Sequence, residues 1–233
     1  MNPIIRNIPN SITCLNLVAG VMSIICAGMG AAPLWGMTAY NWAYVFIGIA
    51  AVADFLDGFA ARLLHAYSAL GKELDSLCDL VSFGVAPAMI MFRCLEEMSP
   101  EPWVKWVALL IPVAGALRLA RFNVDTRQTT SFIGLPIPAN AIFWIGYSSL
   151  CWLGTEFMAR WWCALAAILV VSWLMVSPVR LFSLKFKTWG WKGNEFRWLL
   201  ILTAPVLVFC MGVPGLMWLI VAYVCYGLCN RAG

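Results

Sequence analysis

Apolar runs of bilayer length recur from one end of this chain to the other, and they limit it to one kind of fold. A helix crosses the hydrocarbon core with about 20 largely apolar residues, and only helices or closed barrels satisfy their own backbone there. The runs fall at roughly 11–30, 37–57, 72–94, 102–122, 136–153, 160–178, 197–212 and 213–230. They predict an all-α integral membrane protein of about eight transmembrane helices. The last two runs are short and parted only by Gly212-Val213-Pro214-Gly215, which predicts a C-terminal helical hairpin over about 197–230. Composition agrees: 63% of residues are hydrophobic and 11% charged, against about 25% charged in soluble domains. With no internal repeat, the whole of 1–233 reads as one membrane-embedded domain. The N-terminus shows no small-residue cleavage site, so the first helix is expected to be retained.

The distribution of Lys and Arg sets orientation. With eight spans, twelve of the fifteen fall at one set of helix ends, and only Arg93, Lys105 and Arg160 fall at the other. Both termini, the loops near 58–72 and 123–135 and the basic loop 180–197 are therefore expected on the cytoplasmic side of the cell (inner) membrane. That basic loop carries Trp189 and Trp191 among its cations and is expected to lie at the interface against anionic headgroups. The net charge of +4 is this asymmetry and not a nucleic-acid footprint, so no nucleic-acid partner is expected. Nine cysteines without a C-x-x-C pair read as small buried hydrophobes. The single histidine, His65, excludes a histidine-rich metal site.

Four carboxylates stand out against this background. Of eleven acidic residues, Asp54, Asp57, Asp75 and Asp79 crowd facing ends of the second and third helices. Spacings of three and four put each pair on one helix face, and antiparallel helices joined by a short connection bring both pairs to one depth. Over 54–79 the five acids outnumber Arg62 and Lys72 by three. Such repulsion is relieved by protonation or by bound cations. An all-oxygen donor set suits hard ions such as Mg²⁺, Mn²⁺ or Ca²⁺, and two of them would form a clamp for phosphoryl chemistry. A solvated helix face, or an ion path through a transporter, are the other readings of carboxylates in this setting.

The full segment is DFLDGFAARLLHAYSALGKELDSLCD, residues 54–79. It satisfies D-x2-D-G-x2-A-R-x8-G-x3-D-x3-D at all eight fixed positions, a match expected by chance in about 10⁻⁸ of chains of this length at ordinary residue usage. On this motif the chain resembles the CDP-alcohol phosphotransferase family. The resemblance implies a six-helix catalytic core, here about 5–178, a homodimer and two divalent metal ions (Mg²⁺ or Mn²⁺) at the cytoplasmic membrane surface. It also implies roles for the aspartates: Asp54, Asp57 and Asp75 as metal ligands, and Asp79 as ligand and general base together. Beside it, Gly58 and Ala61 remove bulk one turn beyond the carboxylates, where a pyrimidine or diphosphate must approach the backbone, and Gly71 can do the same at the start of the third helix. Helix ends and close helix packing are the alternative reading of both glycines. Arg62 is a candidate fork for phosphate oxygens.

Other segments bear on the acceptor. IPNSITCLNLVAG (8–20), VSFGVAPA (81–88), ALRLARFNV (116–124) and FIGLPIPANA (132–141) resemble the branch of that family whose acceptor is L-serine and whose donor is CDP-diacylglycerol, drawn from the surrounding membrane lipids. Cys78 departs from the small residue expected before the fourth aspartate. Arg118 and Arg121, with Asn123 just beyond, are candidates to bind the serine carboxylate or a phosphate; membrane anchoring is their alternative. Asn10, Thr13 and Asn16 share a face of the first helix and are candidates to read the cytosine edge, with capping and interhelical bonding as the alternative. A phosphorylated acceptor (glycerol phosphate or inositol phosphate) calls for a denser basic pocket, and an ether-linked archaeal donor would use the same headgroup chemistry. A transporter needs polar residues along several helices, and the others offer almost none.

Overall fold

A computed structural model of the chain describes residues 3–124, 131–152, 160–182, 190 and 194–229. Eight helices run through these residues: α1 (Pro3–Met29), α2 (Ala39–Leu63), α3 (Ala69–Met98), α4 (Val104–Val124), α5 (Ile137–Trp152), α6 (Trp161–Val176), α7 (Glu195–Met211) and α8 (Gly215–Cys229). Helices α1 to α4 are each long and apolar enough to cross a membrane, while α6 and α8 are shorter apolar helices. Large apolar side chains such as Val52, Phe55, Leu202 and Phe209 point outward, as they do where the surrounding solvent is lipid. The chain is an all-helical integral membrane protein.

Four two- or three-residue strands stand outside the all-helical expectation. β1 (Pro33–Leu34) and β2 (Met37–Thr38) form a hairpin between α1 and α2. Trp35 and Gly36 both take positive φ there, 45° and 82°, the signature of a type I′ turn. β3 (Ser131–Ile133) pairs antiparallel with β4 (Arg180–Phe182), tying the stretch before α5 to the stretch after α6. Of the rest of the basic loop, Lys185, Lys187, Trp189, Trp191 and Lys192 lie outside the described residues, as does Arg127.

α1 lies along α2 through small side chains. On α2 the buried stripe runs Ala39, Tyr40, Ala43, Ile47, Ala50, Ala53, Asp57, a helical period that lets backbones approach closely. Its last member is an aspartate, so the packing that seats the helix also buries that carboxylate. The connection expected near 58–72 is shorter than predicted: α2 continues to Leu63 and α3 begins at Ala69. Apolarity marks membrane depth and not helix length, so the motif's Gly58, Ala61 and Arg62 remain helical. α2 ends in a Schellman arrangement, with Ala66 N–H on Ala61 O at 3.0 Å and His65 N–H on Arg62 O at 3.3 Å. His65 takes the left-handed conformation (φ 49°) usually given to glycine. Ser68 then caps α3, its Oγ accepting from Gly71 N–H at 2.9 Å.

α3 is interrupted at Leu80–Val85 by a π-helical segment directly after Asp79, a distortion that recurs at functional sites. Pro87 has no N–H to give the carbonyl of Phe83. Asn140 of α5 supplies one instead: its Nδ2 donates to Phe83 O at 2.9 Å, and its Oδ1 accepts from Trp144 Nε1 at 2.8 Å. All three side chains are buried. Asn140→Leu leaves a buried carbonyl and an indole N–H without partners, a loss of about 1–3 kcal/mol each. The expected result is a clearly lower melting temperature in detergent; unchanged melting would show that the π segment is held by other contacts.

At the other end of the bundle, Arg93 and Lys105 both pair with Glu96, and Tyr40 Oη donates to Glu97 at 3.0 Å. Two of the three cations on the sparsely charged side thereby share one carboxylate within the protein.

Candidate active site

The four aspartates come from two helices. Asp57 ends the buried stripe of α2, Asp54 sits one turn before it, and Asp75 and Asp79 lie on the facing turns of α3 just ahead of the π segment. Carboxylate oxygens of Asp54, Asp57 and Asp75 all lie within 4.8 Å of one another. Asp57 Oδ2 and Asp75 Oδ1 are buried with no hydrogen-bond partner in the protein. Buried polar atoms are ordinarily satisfied, and these two belong to groups that can only accept when ionised. The donor set fits a hard divalent cation and could hold one.

Asp79 adjoins that group, its carboxylate meeting Asp54, without joining the three mutually close oxygens. Its Oδ1 accepts from Asn16 Nδ2 of α1 at 3.2 Å, and both residues are buried. Ser82, within the π segment, donates to the Asn16 carbonyl at 3.0 Å. This contact needs Gly20: a Cβ placed there would collide with Ser82 Oγ and Cα.

Beside the cluster lies a cleft of about 220 Å³. Asn10 and Thr13 of α1, Asp57, Gly58 and Ala61 of α2, and Gly71 and Asp75 of α3 line it. The sequence-named residues Asn10, Thr13, Gly58, Ala61 and Gly71 thus share one cavity with two of the aspartates, whereas Asn16 is turned to Asp79. The glycines differ in kind. A Cβ at Gly71 would come within 3.0 Å of Asn10 Oδ1 and Ser68 Oγ, so Gly71 lets α3 approach α1. A Cβ at Gly58 meets nothing within 4 Å, so its missing side chain leaves open space in the cleft. Packing explains the first glycine and not the second.

Gly58→Ala therefore separates stability from binding. Alanine is the better helix former by about 1 kcal/mol, so the variant is expected to melt no lower than wild type. Any molecule that uses the cleft should bind it more weakly, by about tenfold in KM for a methyl-sized obstruction. An unchanged KM would place the ligand elsewhere.

The arginines are divided. Arg118 is buried, 8% exposed, with no partner for its Nε, its guanidinium 5.4 Å from the Phe122 ring centre and within electrostatic reach of Asp79. Arg121 is exposed and donates to Val176 O at 2.7 Å, closing the end of α6. Arg62 is exposed, its Nε donating to Gly58 O of its own helix at 2.9 Å. Asn123 donates to Ser76 Oγ at 2.9 Å and accepts from Lys72 Nζ at 3.2 Å through its carbonyl, fastening the end of α4 to the motif helix.

Sequence reasoning missed Tyr67, Ser68 and Lys72 in the cleft wall. Ser68 carried a legible signal, a serine just ahead of a helical pattern. Asn140 had none beyond being an amide in an apolar run.

Comparison with known proteins places this geometry. The sequence profile described as CDP-alcohol phosphatidyltransferase matches residues 6–178. A Mycobacterium leprae protein named CDP-diacylglycerol–serine O-phosphatidyltransferase is 40% identical over 162 residues, covering 66% of this chain and 50% of that protein. This chain thus spans half the length of that relative. Proteins of the same name from Mycobacterium bovis and Helicobacter pylori are each 32% identical. The first match covers 91% of this chain and 77% of the relative; the second covers 94% and 89%. The matched profile contains the whole aspartate motif and the cleft around it, and the chain belongs to the CDP-alcohol phosphatidyltransferase family.

Proposed function

We propose that this protein transfers the phosphatidyl group of CDP-diacylglycerol to the hydroxyl of L-serine, giving phosphatidylserine and CMP. The observation that carries this reading is the three-carboxylate cluster with two unpartnered buried oxygens, set beside a cleft that the family motif builds. The relatives' names supply the donor and the acceptor.

Asp54, Asp57 and Asp75, with Asp79 adjoining, would hold two divalent ions, Mg²⁺ or Mn²⁺. Such ions neutralise the diphosphate oxygens and the charge that develops on departing CMP. Asn10, Thr13, Gly58, Ala61 and Gly71 cradle the nucleotide end of the donor, and Arg62, exposed and bonded to Gly58 O, takes its phosphates. Asp79 takes the proton from serine Oγ as Oγ bonds to the phosphorus bearing diacylglycerol. The bond from that phosphorus to the CMP oxygen breaks, and CMP leaves with its electron pair. Arg118, a single buried guanidinium near Asp79, suits one carboxylate. With Arg121 committed to α6, the described residues beside Asp79 are too sparse in charge for a phosphorylated alcohol. The active site faces the cytoplasm, as the Lys and Arg asymmetry directs, and the protein works as a homodimer.

The test follows CMP release by purified protein in mixed micelles with CDP-diacylglycerol and Mn²⁺ or Mg²⁺, offering L-serine, glycerol 3-phosphate and inositol phosphate separately. Release with serine alone is expected. Release with a phosphorylated alcohol instead would overturn the acceptor, and release with none would overturn the reading. Transfer is direct, with the serine hydroxyl as the only nucleophile the step requires. Exchange of labelled CMP into the donor without serine would contradict that.

A further inference from the structure

Asn16 was a candidate to read the donor's base, yet it does not line the cleft. It is fully buried, and its Nδ2 is spent on Asp79 Oδ1 at 3.2 Å. Only an amide N–H can face a carboxylate in this way, so the chemistry fixes which end of the amide points there. The amide's other end, Oδ1, is buried without a partner, so the side chain is not placed for its own hydrogen-bond satisfaction. Its backbone is fastened separately. Ser82 donates to Asn16 O at 3.0 Å, and the missing Cβ of Gly20, one turn on, brings α1 close enough for that bond. Asp79 is the last residue before the π segment that contains Ser82. The carboxylate is therefore gripped in front by Asn16, and its own helix is gripped behind through Ser82.

We propose that Asn16 is the positioning residue of Asp79, fixing the rotation of its carboxylate so that the second oxygen is presented to the acceptor hydroxyl in one direction. This rests on the phosphatidyl transfer proposed above. A free carboxylate rotates about its last bond through a broad, two-fold torsion. Holding one oxygen removes that freedom, and misplacement of a reacting group by about 1 Å can cost about 10²-fold in rate. The role is felt in turnover and not in substrate affinity, because Asn16 touches neither the cleft nor the Asp54–Asp57–Asp75 cluster.

The experiment compares wild type with Asn16→Leu, nearly isosteric but without a donor, and Asn16→Ser, smaller and polar. Ser82→Ala is the structural control, because it removes one α1–α3 hydrogen bond while the close approach of Gly20 to the Ser82 backbone and the Asn16 amide both remain. Readouts are kcat, KM for each substrate, melting temperature in detergent, and Mn²⁺ binding followed by electron paramagnetic resonance. Asn16→Leu should lose about 30- to 300-fold in kcat, with both KM values and the Mn²⁺ isotherm within threefold of wild type. Ser82→Ala should lower melting while keeping kcat within threefold. Should Asn16→Leu not fold, Asn16→Ser is expected to lose at least about tenfold in kcat in the same pattern. A rise in KM for CDP-diacylglycerol with kcat preserved would overturn the proposal and return Asn16 to donor recognition. So would a folded variant with wild-type kcat, or a kcat loss in Ser82→Ala matching that of Asn16→Leu. If wild type uses another acceptor, the same split is read with that acceptor; if it turns over none, the transfer reading and this role fall together.

Discussion

Replacing Asp79 with asparagine is expected to lower kcat by about 10³-fold, with the protein still folded and the donor still bound. A positioned general base contributes typically 10²–10⁴-fold, and a serine hydroxyl is a poor nucleophile until its proton is taken. Asparagine keeps the size of the side chain and still offers Asn16 an acceptor at the place of Oδ1, so the α1–α3 contact survives. Because Asp54, Asp57 and Asp75 keep their mutually close oxygens without Asp79, Mn²⁺ binding by Asp79→Asn should fall far less than turnover. Steady-state kinetics beside Mn²⁺ titration distinguish the outcomes. Loss of ion binding in proportion to rate would make Asp79 mainly a ligand, and retention of more than about a tenth of wild-type kcat would remove it as the base.

Asp57→Asn should do the opposite: abolish ion binding and turnover together while making the ion-free protein more stable. Asp57 is buried, with one oxygen unpartnered, and shares a space within 4.8 Å with Asp54 and Asp75. At that separation two ionised carboxylates repel by about 3 kcal/mol at an effective dielectric constant of about 20. Neutralising one of three removes two of the three repulsive pairs. A gain of even 1 kcal/mol raises melting by about 2–4 °C in a chain of this size. Wild type should melt higher on addition of Mn²⁺ and fall back with EDTA, since a ligand that binds only the folded state stabilises it by mass action. Asp57→Asn should show a higher melting temperature in EDTA, no response to Mn²⁺, and turnover lower by about 10³-fold or more. A variant that melts lower than wild type in EDTA would mean that Asp57 is held by contacts favouring its charge, and that the cluster is not strained for an ion.

Much of this was legible along the chain, because membrane helices and metal clusters are both written in local spacing. Apolar length gave the eight helices, and intervals of three and four put Asp54 with Asp57 and Asp75 with Asp79. What could not be read was pairing at a distance. Pro87 announces that the Phe83 carbonyl lacks its helical donor, but nothing nearby says that Asn140 will supply one. Asn10, Thr13 and Asn16 share a helix face, yet only the rotation of α1 against α3 sends Asn16 to Asp79 while leaving the other two at the cleft. Arg118 and Arg121 also share a face. They part because one lies inside the bundle, while the other reaches the open carbonyl at the end of α6. Gly58 and Gly71 are equivalent letters in the motif, and only the surroundings show that one fills a packing need and the other leaves room.

The most direct measurement follows labelled L-serine into the lipid phase. Purified protein in vesicles containing CDP-diacylglycerol is supplied with labelled serine and Mn²⁺, and chloroform-soluble label is counted against CMP released. Transfer at the aspartate cluster predicts one labelled lipid for each CMP, and neither product when EDTA replaces Mn²⁺ or when Asp57→Asn replaces wild type. CMP released without label entering the lipid, or label incorporated at full rate in EDTA, would contradict it.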